Sequence, residues 1–220
     1  TKRLSIPRLH MSQHAFLLFV IIFPPAYAIT SGAIIYDTIR HFLFIIPVIC
    51  VLCGIILHHL VLMAERNQPR FAPVILGVIG VSLMVQLWIN VRLHPNQYVY
   101  YNSFVGGLKG ADGQYETDYW ANSYKEAVEQ MVAYVKKAEP GIFESEQYTV
   151  NICGPFLSGV HYLPDNFKVV QSPQEADFFI AFTRVNCHQS IPGKPIAAVT
   201  RMGVLLSLVK DLRTQDPNEE

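Results

Sequence analysis

Residues 42–63 form an apolar run of about twenty positions with no Asp, Glu, Lys or Arg, which a helix on the surface of a water-soluble domain does not tolerate. Such a helix has no polar face to turn to water. At about 1.5 Å per residue it matches the roughly 30 Å hydrocarbon core of a bilayer. Two flanking runs behave alike. Residues 15–29 are apolar apart from Pro24-Pro25, a break that a membrane helix accommodates when neighbouring groups satisfy the freed carbonyls. Residues 71–91 end in Trp88 and Asn90, where an aromatic ring suits the lipid–water interface. Residues 1–91 therefore read as a transmembrane region with three spans. Composition agrees: charged residues make up 15% of the chain, against about 25% in soluble domains, and the apolar ones concentrate before position 92. The formal net charge is zero, and no basic stripe, Gly-rich phosphate loop or internal repeat is present, so nucleic acid is not an expected partner and membrane lipid is.

Cations set the expected orientation. Lys2, Arg3 and Arg8 precede the first span, and Arg66 and Arg70 lie between the second and third, so these segments are expected to face the cytoplasm. Arg40 and Arg92 run against that count. The loop 30–41 and everything after Arg92 are then extracytoplasmic. The chain opens Thr1-Lys2-Arg3-Leu4 and its first apolar run lacks a small-residue cleavage site, so no signal peptide is read, and the expectation is a piece of a longer polypeptide.

Beyond the third span the pattern becomes that of a small extracytoplasmic α/β domain, residues 92–212. It begins with a Tyr- and Gly-rich stretch, residues 94–107, expected to be irregular backbone at the membrane surface. Ser123-Tyr124-Lys125-Glu126 reads as a capping box opening a helix over 123–138, with Tyr124, Ala127, Val128, Met131, Val132 and Val135 on one face. Lys136 and Lys137 suit its C-terminal dipole, and Pro140-Gly141 ends it. Alternation predicts a half-buried strand over 148–153, further strands at 167–170 and 178–183, and a hairpin of 196–201 and 204–209 around Met202-Gly203. At most one helical turn opens at Ser172-Pro173, and the polar tail 213–220 is expected to be disordered.

These residues also carry a family likeness. Tyr36-Asp37-Thr38-Ile39-Arg40-His41-Phe42-Leu43-Phe44 leads into a span containing Pro47. Then comes His94-Pro95-Asn96-Gln97-Tyr98-Val99-Tyr100-Tyr101-Asn102, with Gly106-Gly107, Gly110-Ala111 and Tyr115-Glu116-Thr117-Asp118-Tyr119-Trp120 after it. Together they resemble the C-terminal region of bacterial membrane glycosyltransferases of the dolichyl-phosphate-mannose protein mannosyltransferase type. The resemblance is collinear from Tyr36 to about Ala127 and looser beyond. It implies a multi-pass enzyme of the bacterial cytoplasmic membrane. Such an enzyme takes a sugar from a polyprenyl-phosphate donor and passes it to a glycan, lipid or protein acceptor on the outer face. It also implies a catalytic acidic residue in a first outer loop to which no position here corresponds, so the catalytic residue is unknown from this chain.

Five residues are candidates for substrate contact. Arg40 and His41 stand where an outer loop enters a span, and a guanidinium there can hold a lipid phosphate through two hydrogen bonds. The alternative is a pair of interfacial anchors reaching to head groups. Asp37 could orient Arg40 or accept from a sugar hydroxyl, or simply be solvated. Asp118 and Trp120, with Tyr119, pair a carboxylate with aromatic faces, which suits saccharides; docking of the rings on the domain or the bilayer is the alternative. No cofactor motif is present, and a divalent metal is left open. Cys50 and Cys53 lie mid-span without further ligands, and His58-His59 sits near a span end. Cys153 and Cys187 close two predicted strands in a compartment where disulfides persist and are candidates for a bridge. Ser158 with His161 fits no nucleophile turn. The rival to an enzyme is a noncatalytic, membrane-anchored module whose outer domain binds a glycan or an assembly partner.

Overall fold

A computed structural model describes residues 11–35 and 41–213. It divides into two compact units, Thr1–Leu83 and Met84–Glu220. In the first, helix α1 (Met11–Thr30) runs through Pro24 and Pro25, and helix α2 (Ile45–Asn67) carries Pro47 in its first turn, where a missing N–H breaks no helical bond. At the end of α1 the Thr30 hydroxyl donates to the carbonyls of Ala26 and Tyr27, 3.0 and 3.1 Å away. A single 3₁₀ turn, Pro69–Phe71, leads into helix α3 (Ala72–Leu93), which crosses from the first unit into the second. Among the described residues three helices are thus long and apolar enough to cross a membrane; α1 extends beyond its expected run, and α2 is shifted toward the C-terminus of its own, Ile45–Asn67 against 42–63.

The second unit holds a five-stranded mixed sheet in the order β2-β1-β3-β5-β4. Strands β1 (Tyr148–Ile152), β2 (Phe167–Val169) and β3 (Phe178–Phe182) are mutually parallel, with β1 in the middle. Strands β4 (Lys194–Arg201) and β5 (Val204–Asp211) form a hairpin that pairs antiparallel to β3 through β5. Met202 and Gly203 both take positive φ (49° and 82°), the two-residue turn whose twist matches that of the flanking strands. Helix α5 (Tyr124–Ala138) buries Tyr124, Ala127, Val128, Met131 and Val135, the expected face, in one core with Val150, Phe178, Ile180, Val199 and Val209.

The structure corrects several expectations. β1 is buried along nearly its whole length rather than half-buried, with Thr149 alone partly exposed, as in the middle of a parallel sheet whose two faces are both covered. Its one buried polar side chain, Asn151, donates to the carbonyls of Val170 and Gln171, each 2.9 Å away. No capping box forms: Ser123 has helical φ/ψ and its hydroxyl donates to Asp118, while Glu126 pairs with Arg201. Residues 94–107 are not wholly irregular. They hold two 3₁₀ turns, Gln97–Val99 and Ser103–Val105, and helix α4 (Gly107–Ala111) follows. Arg213, placed in the disordered tail, is instead anchored: Nε and Nη2 donate to Asp211 at 3.1 and 2.8 Å, and Nη1 to Glu139 at 2.7 Å. Residues 214–220 lie outside the described residues. Cys153 and Cys187 form a disulfide.

Candidate functional site

Asp37 and Arg40 lie outside the described residues, so the expected phosphate-binding loop is represented by His41 alone, which is exposed. Asp118 and Trp120 are brought together, but not as a sugar-facing pair. The Asp118 side chain is completely buried, and its oxygens accept from the Asn122 and Ser123 amides (2.9 and 3.3 Å) and from the hydroxyls of Tyr98 and Ser123. It therefore cannot reach a ligand in this arrangement. It thereby holds the amides of the two residues just before α5, at the end where the helix dipole favours an anion. Burial, reinforced by this carboxylate, pushes the Tyr98 phenol well above its ordinary value, so the hydroxyl stays a donor to Asp118 while accepting from the Trp120 amide at 3.2 Å. Asn122 Nδ2 donates to Asn96 Oδ1 at 3.1 Å, binding the segment after α3 into the same cluster. Arg201 adds a second tie, donating from Nε to the His94 carbonyl at 3.0 Å while paired with Glu126. Trp120 is exposed and packs edge-on against Tyr119, 4.9 Å between ring centres.

Two concavities lie in the second unit. The first is an apolar groove of about 340 Å³ formed by Ile89 and Leu93 on the last turns of α3 with Tyr100, Tyr101, Gly106, Leu108 and Met202. Gly106 and Gly107 turn the chain there at φ 80° and 66°, a conformation that side chains disfavour. Asn102 fixes the preceding turn by accepting from the Phe104 and Val105 amides. The Phe104 side chain that this turn presents is 100% exposed.

The second is a polar cleft of about 450 Å³ at the carboxyl end of β3. One wall is the loop after α4, Asp112 to Glu116; the other is the segment Thr183 to Gln189, with Leu205 beneath. Val185 and Asn186 take positive φ in succession (48° and 55°). Such strain costs of order 1–3 kcal/mol per residue, more readily borne by Asn than by a β-branched Val. It is held by the Cys153–Cys187 bridge, by the Asn186 amide donating to the Thr183 carbonyl (3.1 Å) and by the Ser190 hydroxyl donating to the Cys187 carbonyl (2.7 Å). Arg184 pairs with Glu116, its Nε lying 2.7 Å from a carboxylate oxygen, and its guanidinium stacks 3.8 Å from the Tyr119 ring centre. Burial, with the nearby Lys210 cation, lowers the His188 pKa, while Asp112 opposes the shift.

Sequence reasoning did not single out Glu116, Arg184, Val185, Asn186 or His188 as site residues. The legible signal was the Cys pair, which marked the loop after β3 as pinned. Among the described residues no group of three or more His, Cys, Asp or Glu side chains is arranged to hold a metal ion. Comparison with protein-family models, with curated proteins and with solved structures finds no match to this chain.

Proposed function

We propose that this chain is the C-terminal part of an integral-membrane glycosyltransferase that takes a sugar from a polyprenyl-phosphate donor and passes it to an acceptor outside a bacterial cytoplasmic membrane. The observation that carries the reading is the apolar groove on the last turns of α3. Apart from Met202, its remaining walls, among them Tyr100, Tyr101, Gly106 and Leu108, fall within the stretch that resembles lipid-linked-sugar transferases. A groove beginning on the last turns of a helix able to span a bilayer lies, in this reading, at the membrane interface, where an isoprenoid chain can reach it from the bilayer. There it exchanges lipid contacts for Ile, Leu and Tyr side chains. The catalytic carboxylate belongs to the first outer loop that the resemblance implies; this chain supplies binding and shape, with Arg40 and His41 as the candidate phosphate contacts. Asp118 has an architectural part in this reading, as the internal acceptor that ties the segment after α3 to the start of α5.

The test is photolabelling of the chain in lipid nanodiscs with a benzophenone-bearing polyprenyl phosphate. Labelled peptides should contain Ile89, Leu93 or Tyr101, and unlabelled long-chain polyprenyl phosphate should compete while straight-chain phosphatidate does not. Equal competition by phosphatidate overturns the reading. In the intact enzyme Arg40→Ala should weaken donor use about ten- to a hundred-fold, the weight of a charge-assisted contact, and Arg92→Ala far less.

A further inference from the structure

We infer that the polar cleft at the carboxyl end of β3 is a binding site for a neutral saccharide, separate from the apolar groove. Position is the first reason. The cleft opens where the chain leaves the carboxyl end of β3, between the segment Thr183 to Gln189, the loop Asp112 to Glu116 and Leu205 of β5, so both of its long walls are loops held on the sheet, where binding residues concentrate. Here the Cys153–Cys187 bridge ties the end of β1 to the loop after β3, which forms one wall of the cleft.

Chemistry is the second reason. The cleft presents the amides of Gln114 and Asn186 and the Tyr115 phenol, together with the Thr183 hydroxyl, 3.3 Å from that of Thr117, and the Gln189 amide and His188 ring, 3.2 Å from each other, a mixture of donors and acceptors. Its one guanidinium, Arg184, is ion-paired with Glu116, and Asp112 leaves a carboxylate in excess. An anionic ligand is therefore disfavoured by the formal charges lining the cleft. Neutral hydroxyls suit both the amides and the carboxylates. The exposed side chains of Tyr115 and Val185 offer apolar surface at the same cleft for the C–H faces of a sugar ring. The volume, about 450 Å³, falls within the range of small-molecule sites. Rigidity is the third reason: a strained pair of residues held by a disulfide is preorganised, so ligand binding need not order the loop. The site deepens the proposed function by placing a sugar of the acceptor, and rests on that reading only for the ligand's role.

The experiment is a titration of the full chain in detergent with maltose, cellobiose, mannobiose and diacetylchitobiose, followed by saturation-transfer NMR, with digalacturonate and inorganic phosphate as anionic probes. At least one neutral disaccharide should saturate, and Asn186→Gly, which keeps the left-handed backbone while removing the amide, should weaken it about three- to tenfold. Gln114→Ala should act in the same direction, with an unchanged thermal midpoint showing that the fold is intact. Saturation by none of the four, equal binding in both variants, or tighter binding of either anion overturns the assignment. Photolabelling of the groove is independent of this titration, so either result can fail while the other stands.

Discussion

All five side chains of β3, Phe178–Phe182, are buried, whereas the most apolar stretch of α3 buries none of its residues within the chain. Leu83 on α3 and Leu157 in the second unit are nearly equally exposed, 65% and 69%. The comparison teaches that an apolar side chain carries no instruction about its partner. In β3 alternation is absent because both faces are covered within the second unit, one of them by α5, while in α3 it is absent because the long runs suit lipid.

The sheet region depends on internal ties, and the largest expected effect comes from breaking the covalent one. Cys153→Ser with Cys187→Ser opens a loop whose ends are 34 residues apart, which by chain entropy lowers stability by roughly 3–4 kcal/mol. Chemical denaturation of the chain in detergent with and without reductant measures it; an unchanged midpoint would show that the bridge adds nothing to the domain.

The comparison itself is tested by charging the two exposed leucines. Leu83→Lys should disfavour membrane insertion by about 3 kcal/mol in a glycosylation-mapping assay. Leu157→Lys should alter stability by less than about 0.5 kcal/mol. Equal effects would show that α3 and the second unit face the same solvent. Labelling of single cysteines in intact cells adds the orientation: one placed at Asp112 or Gln174 should react with an impermeant reagent, and one at Asn67 should not.

Next in size is the buried carboxylate. Asp118→Ala leaves the Tyr98 and Ser123 hydroxyls and the Asn122 and Ser123 amides without their acceptor, a loss of about 2–3 kcal/mol. Were Asp118 a ligand group instead, stability would hold and donor use would fall. The smallest effect is at His188. Its folded pKa lies below the ordinary value of about 6.5, so on acidification through that value the unfolded chain takes up a proton before the folded one does. Stability should fall as pH drops below about 6.5 and level off beneath the folded pKa. His188→Gln should flatten that portion of the thermal-midpoint profile.

The three long helices, most of the buried face of α5 and the β4–β5 hairpin are legible from local pattern. Each depends on a local pattern: unbroken apolar length, a 3.6-residue period, and a Met-Gly turn between alternating runs. Register and strand order were not legible, because β1 pairs with two strands that both follow it in sequence, and only packing selects which takes each edge. The part played by Asp118 was decided by tertiary structure alone. A carboxylate beside Tyr119 and Trp120 reads as sugar-binding until the fold brings Tyr98, 20 residues away, onto it and buries it beneath the first turn of α5. The polar cleft was hidden for the same reason. Its walls, Asp112 to Glu116 and Thr183 to Gln189, are distant in sequence, and they meet only when the sheet is assembled and the disulfide closes the loop after β3.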